Sequence, residues 1–180
     1  MKRVILLLVS SILADVAWAE PVAGPVIEDY GPVYYVPQVP LVLPDGARLK
    51  AVFDVSATPE EPDKLNYRLE TVARYLNMHA RAGIDPARLD VAVVLHGKAT
   101  RAALSADAFE ERYGRINPDG DLIQRLAAAG VQFLVCGQSA AASGFRPEEM
   151  APGMTLSLSA LTALVGLQSD GYALIPWGTD

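Results

Sequence analysis

The chain has 180 residues, 51% of them apolar, and a formal net charge of −6. An acidic chain without a basic run is a poor ligand for nucleic acid, because Lys and Arg contacts to phosphates supply that affinity, and it is a poor candidate for an anionic membrane surface on the same ground. The length fits one domain with one sizeable core.

The N-terminus reads as a secretory signal peptide over residues 1–19. Lys2 and Arg3 give a positive start, Val4 to Leu13 is apolar apart from Ser10 and Ser11, and Ala17-Trp18-Ala19 is an A-x-A cleavage site. The apolar stretch is shorter than the ~20 residues of a membrane-spanning helix. The competing reading is a buried first strand, Val4 to Val9, and Asp15 is an unwelcome charge near the cleavage site. No cysteine directly follows Ala19, so a lipid anchor is not indicated. The expected location of the mature chain is the periplasm, free of the membrane after cleavage.

Residues 20–47 form a proline-rich arm. Pro21, Pro25, Pro32, Pro37, Pro40 and Pro44 exclude a helix or a central strand. Tyr30, Val33, Tyr34, Tyr35 and Val36 are apolar for a tether. Two readings stand: an extended arm lying on a surface, its own or a neighbouring subunit's, and a flexible linker.

Regular elements occupy residues 48–180. Lys50 to Ser56 (KAVFDVS) predicts a strand. Leu65, Leu69, Val72, Ala73, Leu76 and Ala80 recur at helical spacing, with Asp63 or Asn66 as the cap and Gly83 as the stop. Leu89 to Leu95 predicts a second strand, Ala102 to Tyr113 a short helix, and Asn117-Pro118-Asp119-Gly120 a turn. Leu122 to Ala129 reads as a helix and Val131 to Val135 as a third strand. Met154 to Leu158, Ala160 to Gln168 and Tyr172 to Ile175 read as strand, helix and strand. Strands alternating with helices imply βαβ units. The strands are near-continuous apolar runs, as in parallel sheets covered on both faces. The expected fold is α/β: a flavodoxin-like three-layer sandwich with a mainly parallel five-stranded sheet and helices on both faces.

Two strands end in the same way. Val94-Leu95 is followed by His96-Gly97, and Leu134-Val135 by Cys136-Gly137. In a parallel sheet both side chains emerge at the carboxyl edge, where ligands and chemistry collect. Strands lie ~4.8 Å apart, so the two groups are within one or two strands of each other. A protonated imidazole near a thiol favours the thiolate. Cys136 is the only cysteine, so it forms no internal disulfide. It is either a small buried hydrophobe or a working thiol. The second requires a sulfur atom that meets solvent in a pocket welcoming negative charge. Backbone amides from Gly137, Gln138 and Ser139, with Gly97 opposite, are the candidate cradle for that anion.

Lys98 and Arg101 are further positive groups, or simply solvated charge. His96 has the alternative of a structural bond at a strand end, and His79, inside the first helix, reads as structural. Asp54 is assigned no role. There is no GxGxxG, P-loop, CxxC or GxSxG, and two histidines and one cysteine without close spacing argue against a structural zinc site. No cofactor and no metal are expected.

At these residues the chain resembles the DsrE/DsrF-like sulfur-relay family. The likeness rests on KAVFDVS, LNYRLETVARYLN, VVLHG, VCGQS and the closing LQSDGYALIPW, over roughly Leu49 to Trp177. The resemblance implies small flavodoxin-like domains assembled as homotrimers or hexamers. It also implies that the cysteine matching Cys136 can accept sulfur as a persulfide and pass it to a sulfur-carrier protein or small sulfur compound. Export and the proline-rich arm depart from the family pattern. The expected function is a periplasmic sulfur-relay protein acting through Cys136 and tuned by His96. The alternative is a non-catalytic oligomeric binding or assembly module of the same fold.

Overall fold

The computed structural model describes residues 20–36, 46–61 and 63–176; the expected signal peptide lies outside them. Five apolar runs become strands: β1 (Leu49–Val55), β2 (Leu89–Leu95), β3 (Gln132–Cys136), β4 (Met154–Ser157) and β5 (Ala173–Ile175). They form one sheet in the order β4-β3-β2-β1-β5, with every pairing in it parallel. The expected α/β architecture is the one the chain adopts.

Side chains alternate across a strand, and each face has its own cover. Phe53, Val55, Val93, Leu95, Phe133 and Val135 point to α1 (Tyr67–Arg81) and α3 (Gly120–Ala128), which bury Leu69, Val72, Leu76, Leu122 and Leu126. Val52, Ala92 and Val94 point to α5 (Ala160–Ser169), which buries Ala160 and Ala163. These two layers of helix and the sheet between them make the three layers.

Several boundaries differ from the sequence expectation for local reasons. Asn66 caps α1, its Oδ1 accepting from Arg68 N at 3.1 Å. The helix expected over 102–113 divides into a 3₁₀ segment, Gly97–Ala103, and α2 (Ala106–Tyr113), because Ser105 supplies a fresh N-cap. Cys136 is the last residue of β3 and also the N-cap of α4 (Gly137–Ala142).

The described part of the arm, residues 20–36, lies on the chain's own α1. Val22 and Val33 form an antiparallel bridge, and Ile27 is 2% exposed. Asn77 clamps the segment from inside α1. Its Oδ1 accepts from Val26 N (3.0 Å) and Ile27 N (2.9 Å), and its Nδ2 donates to the carbonyls of Ile27, Tyr30 and Gly31. Gly31 has φ +61°, and a Cβ there would stand 2.3 Å from Arg74 N. Only glycine permits that approach.

Among the described residues, no helix is long and apolar enough to cross a membrane.

Candidate functional site

Strand alternation places the reactive groups on one face. Asp54 follows Val52 at a spacing of two, His96 follows Val94, and Cys136 follows Leu134, so all three share the α5 face at the carboxyl edge. The strands are neighbours. Leu95 pairs with Val135, so His96 and Cys136 come next in the same register, one strand apart.

His96 Nε2 lies 2.6 Å from Asp54 Oδ1. That bond is the main cause of a raised His96 pKa; partial burial opposes it, and the negative charges of Asp54 and Cys136 add to it. The imidazolium therefore persists to higher pH than in a free histidine.

Burial works against ionisation of the Cys136 thiol. Hydrogen bonds from the Ser139 hydroxyl and from the amides of Ser139, Ala160 and Gln138 outweigh it, and the pKa lies below the ordinary thiol value. The Ser139 N–H reaches Sγ at 3.4 Å. Ser139 lies in the first turn of α4, so the sulfur caps that helix, and Ala160, the first residue of α5, packs against Cys136.

Other parts of the edge hold this arrangement together. Gly97 N donates to Ser139 Oγ at 3.0 Å and ties the end of β2 to α4. Gly97 has φ +53°, and a Cβ there would stand 3.0 Å from Ser56 O. A Cβ at Gly137 would stand 2.6 Å from Ser157 O, so β4 passes too close for any side chain. The Gln138 side chain points elsewhere, Nε2 donating to Leu158 O at 3.4 Å; only its backbone amide serves the sulfur.

The structure thus brings together Cys136, His96, Gly97, Gly137, Gln138 and Ser139. Two expectations change. Cys136 is only 5% exposed, packed with Val52, Val94, Ala160 and Ala163, so the sulfur sits in an anion-favouring cradle that solvent barely reaches. Asp54, assigned no role from sequence, is the partner of the imidazole. Its signal was a lone carboxylate inside an apolar strand, two residues before the C-terminal end of Lys50 to Ser56. His79 Nδ1–H donates to Tyr75 O at 2.7 Å, a bond within α1. Lys98 and Arg101 line a neighbouring cleft of about 370 Å³ that does not include Cys136. Among the described residues, no group of three or more His, Cys, Asp and Glu is placed to hold a metal ion.

Chemically, an imidazolium beside a hydrogen-bonded thiolate is a poised nucleophile. The same cradle holds any anion that replaces the thiolate at that position.

Comparison with known proteins agrees with this architecture. The protein of unknown function MTH1491 from Methanobacterium thermoautotrophicum aligns over 71% of this chain and 97% of its own, at 19% identity and a TM-score of 0.51. The ychN protein from E. coli aligns over 70% of this chain and 96% of its own, at 16% identity and a TM-score of 0.50. At such identities the likeness shows the fold. No curated protein matches the chain. The sequence pattern of the DsrE/DsrF-like family matches residues 50–177, a span that runs from β1 through β5 and includes Asp54, His96 and Cys136, and the chain belongs to that family.

Proposed function

We propose that this protein is a periplasmic sulfur-relay protein in which Cys136 carries one sulfur atom as a persulfide. The observation that carries the reading is Cys136 Sγ at the N-terminus of α4, accepting from Ser139 N at 3.4 Å, one strand away from a His96 bonded to Asp54 at 2.6 Å. The thiolate attacks the sulfane sulfur of a donor such as thiosulfate. A new Cys136 S–S bond forms, the donor S–S bond breaks, and its electron pair leaves with sulfite. The product is a persulfide anion, so the charge stays in the cradle. An acceptor thiolate then attacks the outer sulfur and regenerates the Cys136 thiolate. The same nucleophile forms a transient mixed disulfide with a partner's disulfide by releasing one partner thiolate. A cysteine that is only 5% exposed favours a low-mass donor over a bulky one. His96 tunes the thiol, and Gly97 and Gly137 allow the close backbone approach.

The test is intact mass spectrometry after thiosulfate treatment under non-reducing conditions. A gain of one sulfur atom, absent in Cys136→Ser and reversed by a small thiol, is the expected result. An unchanged wild-type mass sinks the reading.

A second reading, a non-catalytic assembly module, draws on a different observation. The outer side of α5 and the loop before it leave Leu158, Leu161 and Val165 at 72%, 78% and 65% exposure. Apolar surface of this kind marks contact with another protein. Copies of the same chain, as a homotrimer or hexamer, are the proposed occupants. Sedimentation is expected to show a discrete oligomer for wild type and monomer for Leu161→Asp. A monomeric wild type removes this reading. Export is tested separately: the N-terminus of protein recovered from the periplasm is expected at Glu20.

A further inference from the structure

The 3₁₀ segment that follows His96 carries two cations with no visible purpose. Lys98 and Arg101 are three residues apart within Gly97–Ala103. At three residues per turn, positions i and i+3 stack directly over one another, so the two positive side chains leave the same side of the segment. Like charges so placed repel. Among the described residues, neither side chain has a hydrogen-bond or ion-pair partner. A carboxylate lies within Arg101's field, that of Asp119, but it faces inward, 2% exposed, and accepts from Asn66 N at 2.7 Å.

Both cations open into the cleft of about 370 Å³. None of its lining residues is acidic, although the chain as a whole carries a net charge of −6. Thr58 adds a hydroxyl, and the half-buried Tyr113 and the largely buried Phe145 are the cleft's aromatic lining residues. Arg112 also lines the cleft, but its charge is spent: it donates to both Glu149 oxygens at 2.9 Å and to Gly144 O at 2.7 Å, and lies over the Phe145 ring. It stiffens the wall and leaves Lys98 and Arg101 as the free charges. A cleft lined by one sign of charge concentrates the opposite ion. The volume lies in the range of small-molecule sites and exceeds the need of a bare tetrahedral ion.

We infer that this cleft is a binding site for a small organic oxyanion, a phosphate monoester or sulfonate whose charged head meets Lys98 and Arg101 and whose ring or apolar body lies against Tyr113 and Phe145. The site adjoins the thiol edge through Gly97 but does not contain Cys136, so it goes beyond sulfur carriage and stands without it.

Isothermal titration of the full mature chain at low ionic strength tests the site. Phenyl phosphate, benzenesulfonate, inorganic phosphate and neutral benzyl alcohol are the probes. One aromatic oxyanion per chain is expected to bind, more tightly than inorganic phosphate and with affinity falling as salt rises. Lys98→Ala and Arg101→Ala are each expected to weaken it about tenfold, with Tyr113→Ala weakening the aromatic probes and not inorganic phosphate. Cys136→Ser is expected to bind as wild type does, which separates this site from the thiol chemistry. Absence of binding by both aromatic oxyanions overturns the inference. So does equal affinity for benzyl alcohol, or affinity unchanged in Lys98→Ala/Arg101→Ala. Circular dichroism of each variant ensures that a loss reflects the site and not the fold; should Tyr113→Ala unfold, Tyr113→Leu replaces it.

Discussion

Asp54 Oδ1 stands 2.6 Å from His96 Nε2, across the boundary between β1 and β2. A carboxylate only accepts hydrogen bonds, so Nε2 carries the hydrogen and Nδ1 is left as the nitrogen that gains or loses a proton. The bond makes His96 a fixed positive group over a wider pH range and links the ionisation of the thiol to a carboxylate two strands away.

Asp54→Asn removes the charge but keeps the shape. The His96 pKa is expected to fall, because its largest support is the Asp54 bond. The Cys136 pKa is expected to rise as the imidazolium is lost, with a several-fold slower reaction with iodoacetamide at neutral pH. Proton NMR titration of the imidazole and alkylation rates against pH measure the two effects. The linkage has a definite sign. A histidine whose folded pKa exceeds its unfolded value of ~6.5 stabilises the fold fully below that value. The contribution is lost as pH rises through the folded pKa. Thermal melts from pH 5 to 9 are expected to show this loss in wild type and not in Asp54→Asn.

Alkylation of Cys136 in the native protein is expected to have a midpoint below the ~8.5 of a free thiol. Ser139→Ala removes the hydroxyl donor to the sulfur and is expected to move the midpoint upward. Because Cys136 is 5% exposed, a bulky maleimide is expected to react much more slowly than iodoacetamide at the same pH. Equal rates for both reagents, or a midpoint at or above the free-thiol value, contradict the cradle.

Gly137 and Gly166 separate close approach from helix propensity. A Cβ at Gly137 meets Ser157 O at 2.6 Å and Leu158 O at 3.3 Å, both backbone atoms at the end of β4. Gly137→Ala is expected to cost about 1–3 kcal/mol and to disturb the turn that carries the thiol. Gly166 lies within α5 with nothing inside 4 Å of its would-be Cβ. Gly166→Ala is expected to stabilise by about 0.5–1 kcal/mol. Urea denaturation measures both.

Asn77→Leu tests the seat of the arm. Five backbone groups of residues 26–31 lose their partner, and Asn77 is fully buried. The expected cost is about 2–4 kcal/mol. Limited proteolysis is expected to cut within residues 20–36 of the variant while wild type resists.

The sheet and the position of the thiol were legible because they are local. A run such as Val91 to Leu95 is apolar at every position, and strand period alone sends residues 54, 96 and 136 to one face once their strands lie side by side. The stop at Gly83 is likewise a property of a few neighbouring residues, whereas the choice between Asp63 and Asn66 as the cap was made only where the Asn66 side chain meets Arg68 N. The division of 97–113 into a 3₁₀ segment and α2 was less legible, since Ser105 resembles any other serine until its hydroxyl meets Ala108 N.

What the sequence determined by itself is the alternation of strand and helix, the apolar faces, and a histidine and a cysteine each at a strand end before a glycine. Only the tertiary structure decided that Asp54 belongs to His96, that Ala160 packs on Cys136 as α5 closes over it, and that Asn77 holds residues far before it in the chain. Each of these joins groups on separate elements, 24 to 51 residues apart. Their meeting depends on strand register and helix docking, which no local pattern contains.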